Sequence, residues 1–235
     1  MICFAFPLAH EAALLLQRCT EKEEFSIGRL HCTLANFNNR QILVALIGMG
    51  ETSAVENTEL IIDNFRIKAF ILAGYGGALA APLKVGQVVV ANNYTSDAVL
   101  GFLRMLSGFD FASFCQAEEV VGTVEQRDFY ARESGAQVVD METEAVASVV
   151  SQIQIPFLAV RVISDDYLQV LPTGALAAGF DPHRGRATPF RLLGYLIAHP
   201  AEFGPFQRFV RGLSLARKNL STFLTQLNAE LPAGW

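Results

Sequence analysis

Cysteine and histidine are sparse in this chain. Four of each are scattered over 235 residues, with no C-x-x-C and no histidine pair at metal-ligand spacing. A disulfide framework and a zinc site are therefore not expected. Cys3, Cys19, Cys32 and Cys115 read as buried, reduced thiols of a cytoplasmic protein. Charge is also scarce, at 17% of residues, and its balance is acidic, with a formal net charge of -5. That argues against a nucleic-acid partner, whose footprint would be basic. No uninterrupted apolar run reaches the ~18 residues needed to span a bilayer. The opening MICFAFPLAHEAALLL has no basic n-region, so it does not read as an export signal. Linkers, repeats and low-complexity tracts are missing as well.

What remains is a strongly apolar chain, 51% hydrophobic, in which strand-like and helix-like stretches alternate. Strands are expected at 2–8, 29–37, 41–50, 69–79, 84–94, 136–142 and 155–165. Asn38-Asn39 marks a turn. Helices are expected at 10–19, after Gly50, at 143–153, at 188–200 and at 206–230. Thr188 stands in a capping position with Pro189 in the first turn. Phe206, Phe209, Val210, Leu213, Leu220, Phe223, Leu224 and Leu227 give the last helix an apolar stripe. Residues 98–134 show no clean period, and 171–188 reads as a Gly/Pro/Arg-rich loop. The pattern predicts one α/β domain over 1–235, with a central, mixed, twisted sheet flanked by helices.

In such sheets ligands gather where strand ends meet glycine-rich turns. Gly48-Met49-Gly50 and Gly74–Gly77 are two such ends, but GMGETS does not complete G-x-G-x-x-G, and no dinucleotide cofactor is expected. Carboxylates mark the others: Glu11, Asp140, Glu142, Glu144 and Asp165 all lie at or just past strand ends. Like charges brought to one edge must separate in pKa or be neutralised by a ligand. Cleavage of a glycosidic bond uses such a set. One group protonates the leaving atom, another positions the nucleophile, and negative charge favours the oxocarbenium-like transition state. Each acid taken singly also fits a first-turn residue at a helix N-terminus.

Four segments, in order, resemble the purine nucleoside phosphorylase and 5′-methylthioadenosine/S-adenosylhomocysteine nucleosidase superfamily. VVDMETEAVA is similar to its Val-[Glu/Asp]-Met-Glu signature. GYGGALAAPLKVGQVVVAN is similar to its glycine turn and Leu-Lys-Val-Gly stretch. FLAVRVISDDY is similar to its Val-Arg-x-Ile-Ser-Asp strand end, and FPLAHEAALLL to its start. The resemblance implies a purine nucleoside substrate and a homo-oligomer, most simply a dimer. It implies that Glu142 accepts the ribose hydroxyls and Met141 packs on the sugar. Asp165 would protonate the purine at N7, with Ser164 and Arg161 supporting that acid and its loop. Glu11 would orient the attacking water, and Gly48 and Gly50 would form the loop beside the nucleophile. Gly74, Tyr75 and Gly76 stand in the glycine turn, Tyr75 in place of the usual serine.

No arginine precedes that turn, where Ile71-Leu72 stand, and Glu51 follows Gly50. Both features favour water over phosphate, although Arg184 and Arg186 are available in the 171–188 loop. The expectation is a hydrolytic nucleosidase acting on a 5′-substituted adenosine-type nucleoside. A phosphate-dependent phosphorylase is the alternative, including the hopanoid-associated type suggested by the Phe/Leu-rich tail. A nucleoside-binding protein without catalysis is the third reading. Phe129 and Tyr130 are the aromatics available for stacking on the base, or else for packing a short helix.

Overall fold

The computed structural model describes residues 1–181 and 186–232, without the side chains of 180, 181, 186 and 187. The chain runs β1 (Ile2–Phe6), α1 (Ala9–Gln17), β2 (Thr20–Ile27), β3 (Leu30–Phe37), β4 (Arg40–Leu46), α2 (Glu51–Asn64), β5 (Ala69–Ala78) and β6 (Val88–Ala91). It continues α3 (Asp97–Leu103), β7 (Asp110–Ala112), β8 (Phe114–Gln116), α4 (Val124–Ser134), β9 (Val138–Asp140), α5 (Thr143–Ser151) and β10 (Phe157–Asp165). It closes with α6 (Thr173–Gly179), β11 (Phe180–Asp181), β12 (Arg186–Ala187), α7 (Pro189–Ala198), a 3₁₀ turn (Pro200–Glu202) and α8 (Phe203–Glu230).

The main sheet is ordered β2-β3-β4-β1-β5-β10-β6-β7, with β9 paired to β5 and to β8. It is mixed: β1 lies parallel to β4 and β5, β5 parallel to β10, and β2-β3-β4 form an antiparallel meander. β1 and β10 are buried at every residue, because both faces of the sheet are covered. The period of two splits their side chains between two cores. Ile2, Phe4, Phe6, Val160 and Val162 meet Ala12 and Leu15 of α1 and Leu220, Leu224 and Leu227 of α8. Cys3, Ala5, Ala159 and Ile163 meet Ala54 and Ile61 of α2 and Val146 and Val150 of α5. The expected single α/β layer arrangement is thus present.

Asn38 and Asn39 both have positive φ, at 50° and 61°, and turn β3 into β4 as a tight hairpin. Sequence reading gave residues 20–28 no element. TEKEEFSI is a mostly exposed edge strand, and its four consecutive charges hide the alternation that marks a half-buried strand. The 98–134 region contains α3, β7, β8 and α4. The 171–188 segment is not a plain loop, since it holds α6 and the β11–β12 pair. Arg184 lies outside the described residues, and so does the Arg186 side chain. Pro189 does open α7, but Thr188 does not cap it: its Oγ1 donates instead to the Ala178 carbonyl at 2.6 Å. In the α8 stripe, Val210 is exposed rather than buried, at 42%.

Candidate active site

The C-terminal ends of β1, β5 and β10 point to one edge of the sheet, where a cleft of about 200 Å³ opens. Glu11, Tyr75, Gly76, Met141, Glu142, Ser164 and Asp165 line it. Leu171, Leu176, Phe209 and Leu213, from the 171–179 segment and α8, close its apolar end. Seven of the eleven residues singled out from sequence therefore meet in one place. The other four, Gly48, Gly50, Gly74 and Arg161, lie behind the lining and shape it.

Glu11 occupies the third position of α1 and is buried. Its Oε2 accepts the N–H of Leu8 and its Oε1 the N–H of Tyr75, both at 2.8 Å. Burial pushes its pKa up to about 8, against the pull of the Arg161 guanidinium. Gly74 is glycine for steric reasons. A Cβ there would sit 2.7 Å from both Glu11 Oε1 and Arg161 Nη1. Tyr75 Oη bonds the ring Nδ1 of His10 at 3.0 Å.

Glu142 stands at the cap of α5. Its Oε1 accepts the N–H of Gly50 at 3.0 Å, and its Oε2 accepts from Arg161 Nη2 at 3.3 Å. Burial raises it to about 7, with Arg161 again opposing. Gly50 thus serves as a donor to Glu142 with its φ at +79°, and Met49 is the member of that loop that lines the cleft. Gly48 is packed against Ser53 at the start of α2. Neither glycine is itself a lining residue, and the loop reaches the cleft through Met49.

Asp140 is structural. It accepts from the backbone N–H groups of Glu142 (3.1 Å) and Thr143 (3.0 Å), from the Thr143 hydroxyl, and from Arg161 Nε at 2.7 Å. Arg161, fully buried, therefore braces Asp140 and Glu142, not the acid at 165 as the sequence reading had it. Glu144 is a surface residue that accepts from Tyr94 Oη at 3.2 Å.

The residue that does hold Asp165 was not foreseen. Arg127 of α4 is completely buried, and its Nη2 donates to Asp165 Oδ2 at 2.5 Å. The same guanidinium donates to the carbonyls of Ala78 (2.8 Å) and Gln169 (3.1 Å). Ser164 Oγ donates to Asp165 Oδ1 and also faces the Gly76 carbonyl at 3.2 Å. Burial raises the Asp165 carboxyl above its ordinary value, with Arg127 and Ser164 pulling it back. In sequence, Arg127 is one arginine in a polar helix, EQRDFYARES, and nothing local distinguishes it.

The wall beside Asp165 also differs from expectation. Phe129 is 55% exposed and packs edge-on against Tyr130, which leans on the small cluster around Cys115 and Val139. Ala117, Glu119, Val120 and Val121 line the cleft instead. Glu51 is exposed and outside the lining, so its part in the argument against phosphate does not hold. The cleft's own acids, Glu11, Glu119, Asp140, Glu142 and Asp165, take that part over.

Known proteins place this geometry. The family model for the phosphorylase superfamily matches residues 1–112 and 109–180. A 5′-methylthioadenosine/S-adenosylhomocysteine nucleosidase of Staphylococcus haemolyticus is 25% identical over 219 residues, covering 80% of this chain and 93% of the relative. The same-named protein of Staphylococcus carnosus is 24% identical over 218 residues, with coverage of 80% and 93%. Among solved structures, the futalosine hydrolase of Helicobacter pylori superposes with a TM-score of 0.74 at 17% identity, covering 98% of this chain and 97% of that one. A Neisseria meningitidis nucleosidase bound to methylthio-immucillin-A gives the same TM-score and identity, with coverage of 98% and 99%. These structural likenesses establish the fold. With the family model spanning most of the chain and its signature segments gathered on one cleft, the chain belongs to the phosphorylase superfamily.

Proposed function

We propose that the protein hydrolyses the N-glycosidic bond of a purine nucleoside, a 5′-substituted adenosine-type nucleoside being the favoured substrate. The observation that carries this reading is the convergence of Glu11, Met141, Glu142 and Asp165 on one cleft with an apolar far end. Glu142 takes the ribose hydroxyls, since a carboxylate accepts two donors through charge-assisted bonds. Met141 packs on the sugar. Asp165 delivers a proton to N7 as the C1′–N9 bond breaks, so that the base departs neutral. Water adds to C1′ and loses its proton to Glu11, whose pKa near 8 suits a base working around neutrality. Tyr75, Gly76 and Ser164 border the substrate, Gly74, Gly50 and Arg161 hold the acids in place, and Gly48 packs the Gly50 loop against Ser53.

Water is favoured over phosphate because the cleft is lined by five carboxylic residues and, among the described residues, by no lysine or arginine. An anionic nucleophile would approach against that field. The names of the relatives point the same way. A homodimer in the cytoplasm remains part of this proposal.

The test is release of free base from a panel of nucleosides, with and without phosphate. Asp165→Asn and Glu142→Gln should each lower turnover by roughly 10²-fold or more. Near-normal turnover in both would overturn the residue roles. Turnover that requires phosphate would replace hydrolysis by phosphorolysis.

A further inference from the structure

α7 is turned inside out. Leu192 packs toward α6 at Gly179, and the Tyr195 hydroxyl donates to Glu202 Oε1 at 2.7 Å, so that face is the inner one. The opposite face carries Phe190, Leu193 and Ile197, at one helical stripe, and they are 88%, 58% and 73% exposed. Leu168 and Val170, 74% and 59% exposed, add a second apolar patch at a recess that they share with Asp166, Glu202 and Arg208. A surface of this kind marks a docking site.

Charge identifies the occupant. The chain has 18 basic and 23 acidic residues. Residues 188–211, which hold α7 and the start of α8, carry three of the basic ones (Arg191, Arg208 and Arg211) and one acid, Glu202, an excess of two positive charges. The rest of the chain is left with an excess of seven negative charges. Glu202 is already engaged, accepting from Tyr195 and from the Ala175 N–H at 3.1 Å. Arg191, Arg208 and Arg211 are exposed and take part in no ion pair among the described residues. A two-fold contact between copies would bring this basic region against itself. An amphipathic helix with exposed Phe, Leu and Ile, flanked by arginines on an otherwise acidic protein, fits an anionic lipid surface.

We propose that α7, together with the 168–170 segment and the start of α8, docks peripherally on anionic membranes. The acidic remainder of the molecule is repelled, which orients the protein with this face down. No helix among the described residues is long and apolar enough to cross the bilayer, so the attachment is interfacial.

The experiment is flotation of the full chain with phosphatidylcholine vesicles, with and without phosphatidylglycerol. The wild type should float only with the anionic vesicles and be released by salt. The triple variant F190S/L193S/I197S changes solvent-facing positions and should lose binding by roughly tenfold or more. R191Q/R208Q/R211Q should lose it comparably, with a weaker salt dependence. Circular dichroism confirms that both variants fold. Failure to float with either vesicle, or equal flotation with neutral ones, overturns the proposal. So does a concentration-dependent doubling of mass by sedimentation that the triple serine variant abolishes, since a second copy would then cover the face. None of these readouts depends on the catalytic reading of the cleft.

Discussion

Glu11→Gln should trade activity for stability at alkaline pH. Glu11 has a folded pKa of about 8 against an ordinary 4.5. A carboxyl whose pKa rises on folding contributes stability that is fully present below 4.5 and is lost as pH climbs through the folded value. Between pH 5 and pH 9 a shift of this size removes about 4 kcal/mol from the wild type. Glutamine does not titrate and escapes that loss. It has its own cost, because the N–H groups of Leu8 and Tyr75 both point at the side chain and the amide has only one oxygen. One donor then faces an NH₂ group, at a cost of about 1–2 kcal/mol. The variant should be the less stable protein at pH 5 and the more stable one at pH 9, with the stability curves crossing near pH 6. It should also lose turnover throughout, as the water-activating group is gone. Urea titrations across this range, comparing midpoints at matched m-values, measure the difference. A gap between the two proteins that does not change with pH would refute the assignment of a strained, proton-holding carboxyl to Glu11.

Arg127→Met leaves Asp165 buried without its cation and should cost about 3–5 kcal/mol near neutral pH, shrinking as Asp165 protonates in acid. Because Arg127 pulls the Asp165 pKa down, its loss should move the alkaline limb of the kcat profile to higher pH; an unmoved limb would separate the acid role from this pair. Gly74→Ala forces a methyl to within 2.7 Å of two buried, hydrogen-bonded side chains, and about 1–3 kcal/mol of destabilisation should appear as a lowered thermal midpoint. The variant should also lose activity through displaced Glu11, and a midpoint equal to wild type would contradict the close approach.

The layered α/β fold was legible because its signals are local and periodic. β1, β5 and the first four residues of β10, Phe157 to Val160, are apolar, which only a sheet covered on both faces tolerates. The Asn38-Asn39 turn and the proline opening α7 follow from backbone preference alone. Edge strand β2 was hidden by its charges, and α6 by the glycines and proline around it. The acids were legible as a set, because Glu11, Glu142 and Asp165 each stand where a strand ends. Their partners were not. Arg161 and Arg127 carry no local signature of what they bind. Arg161 turned out to brace Glu142 and Asp140, while Arg127 arrives at Asp165 from a helix 38 residues earlier in the chain. The exposed face of α7 was equally invisible, since an apolar stripe in sequence reads the same whether it faces a core or solvent. Sequence by itself determined which residue types reach the sheet edge. Only the tertiary structure decided which cation meets which carboxylate, because ion pairing depends on distances of a few ångströms between segments that the chain order does not relate.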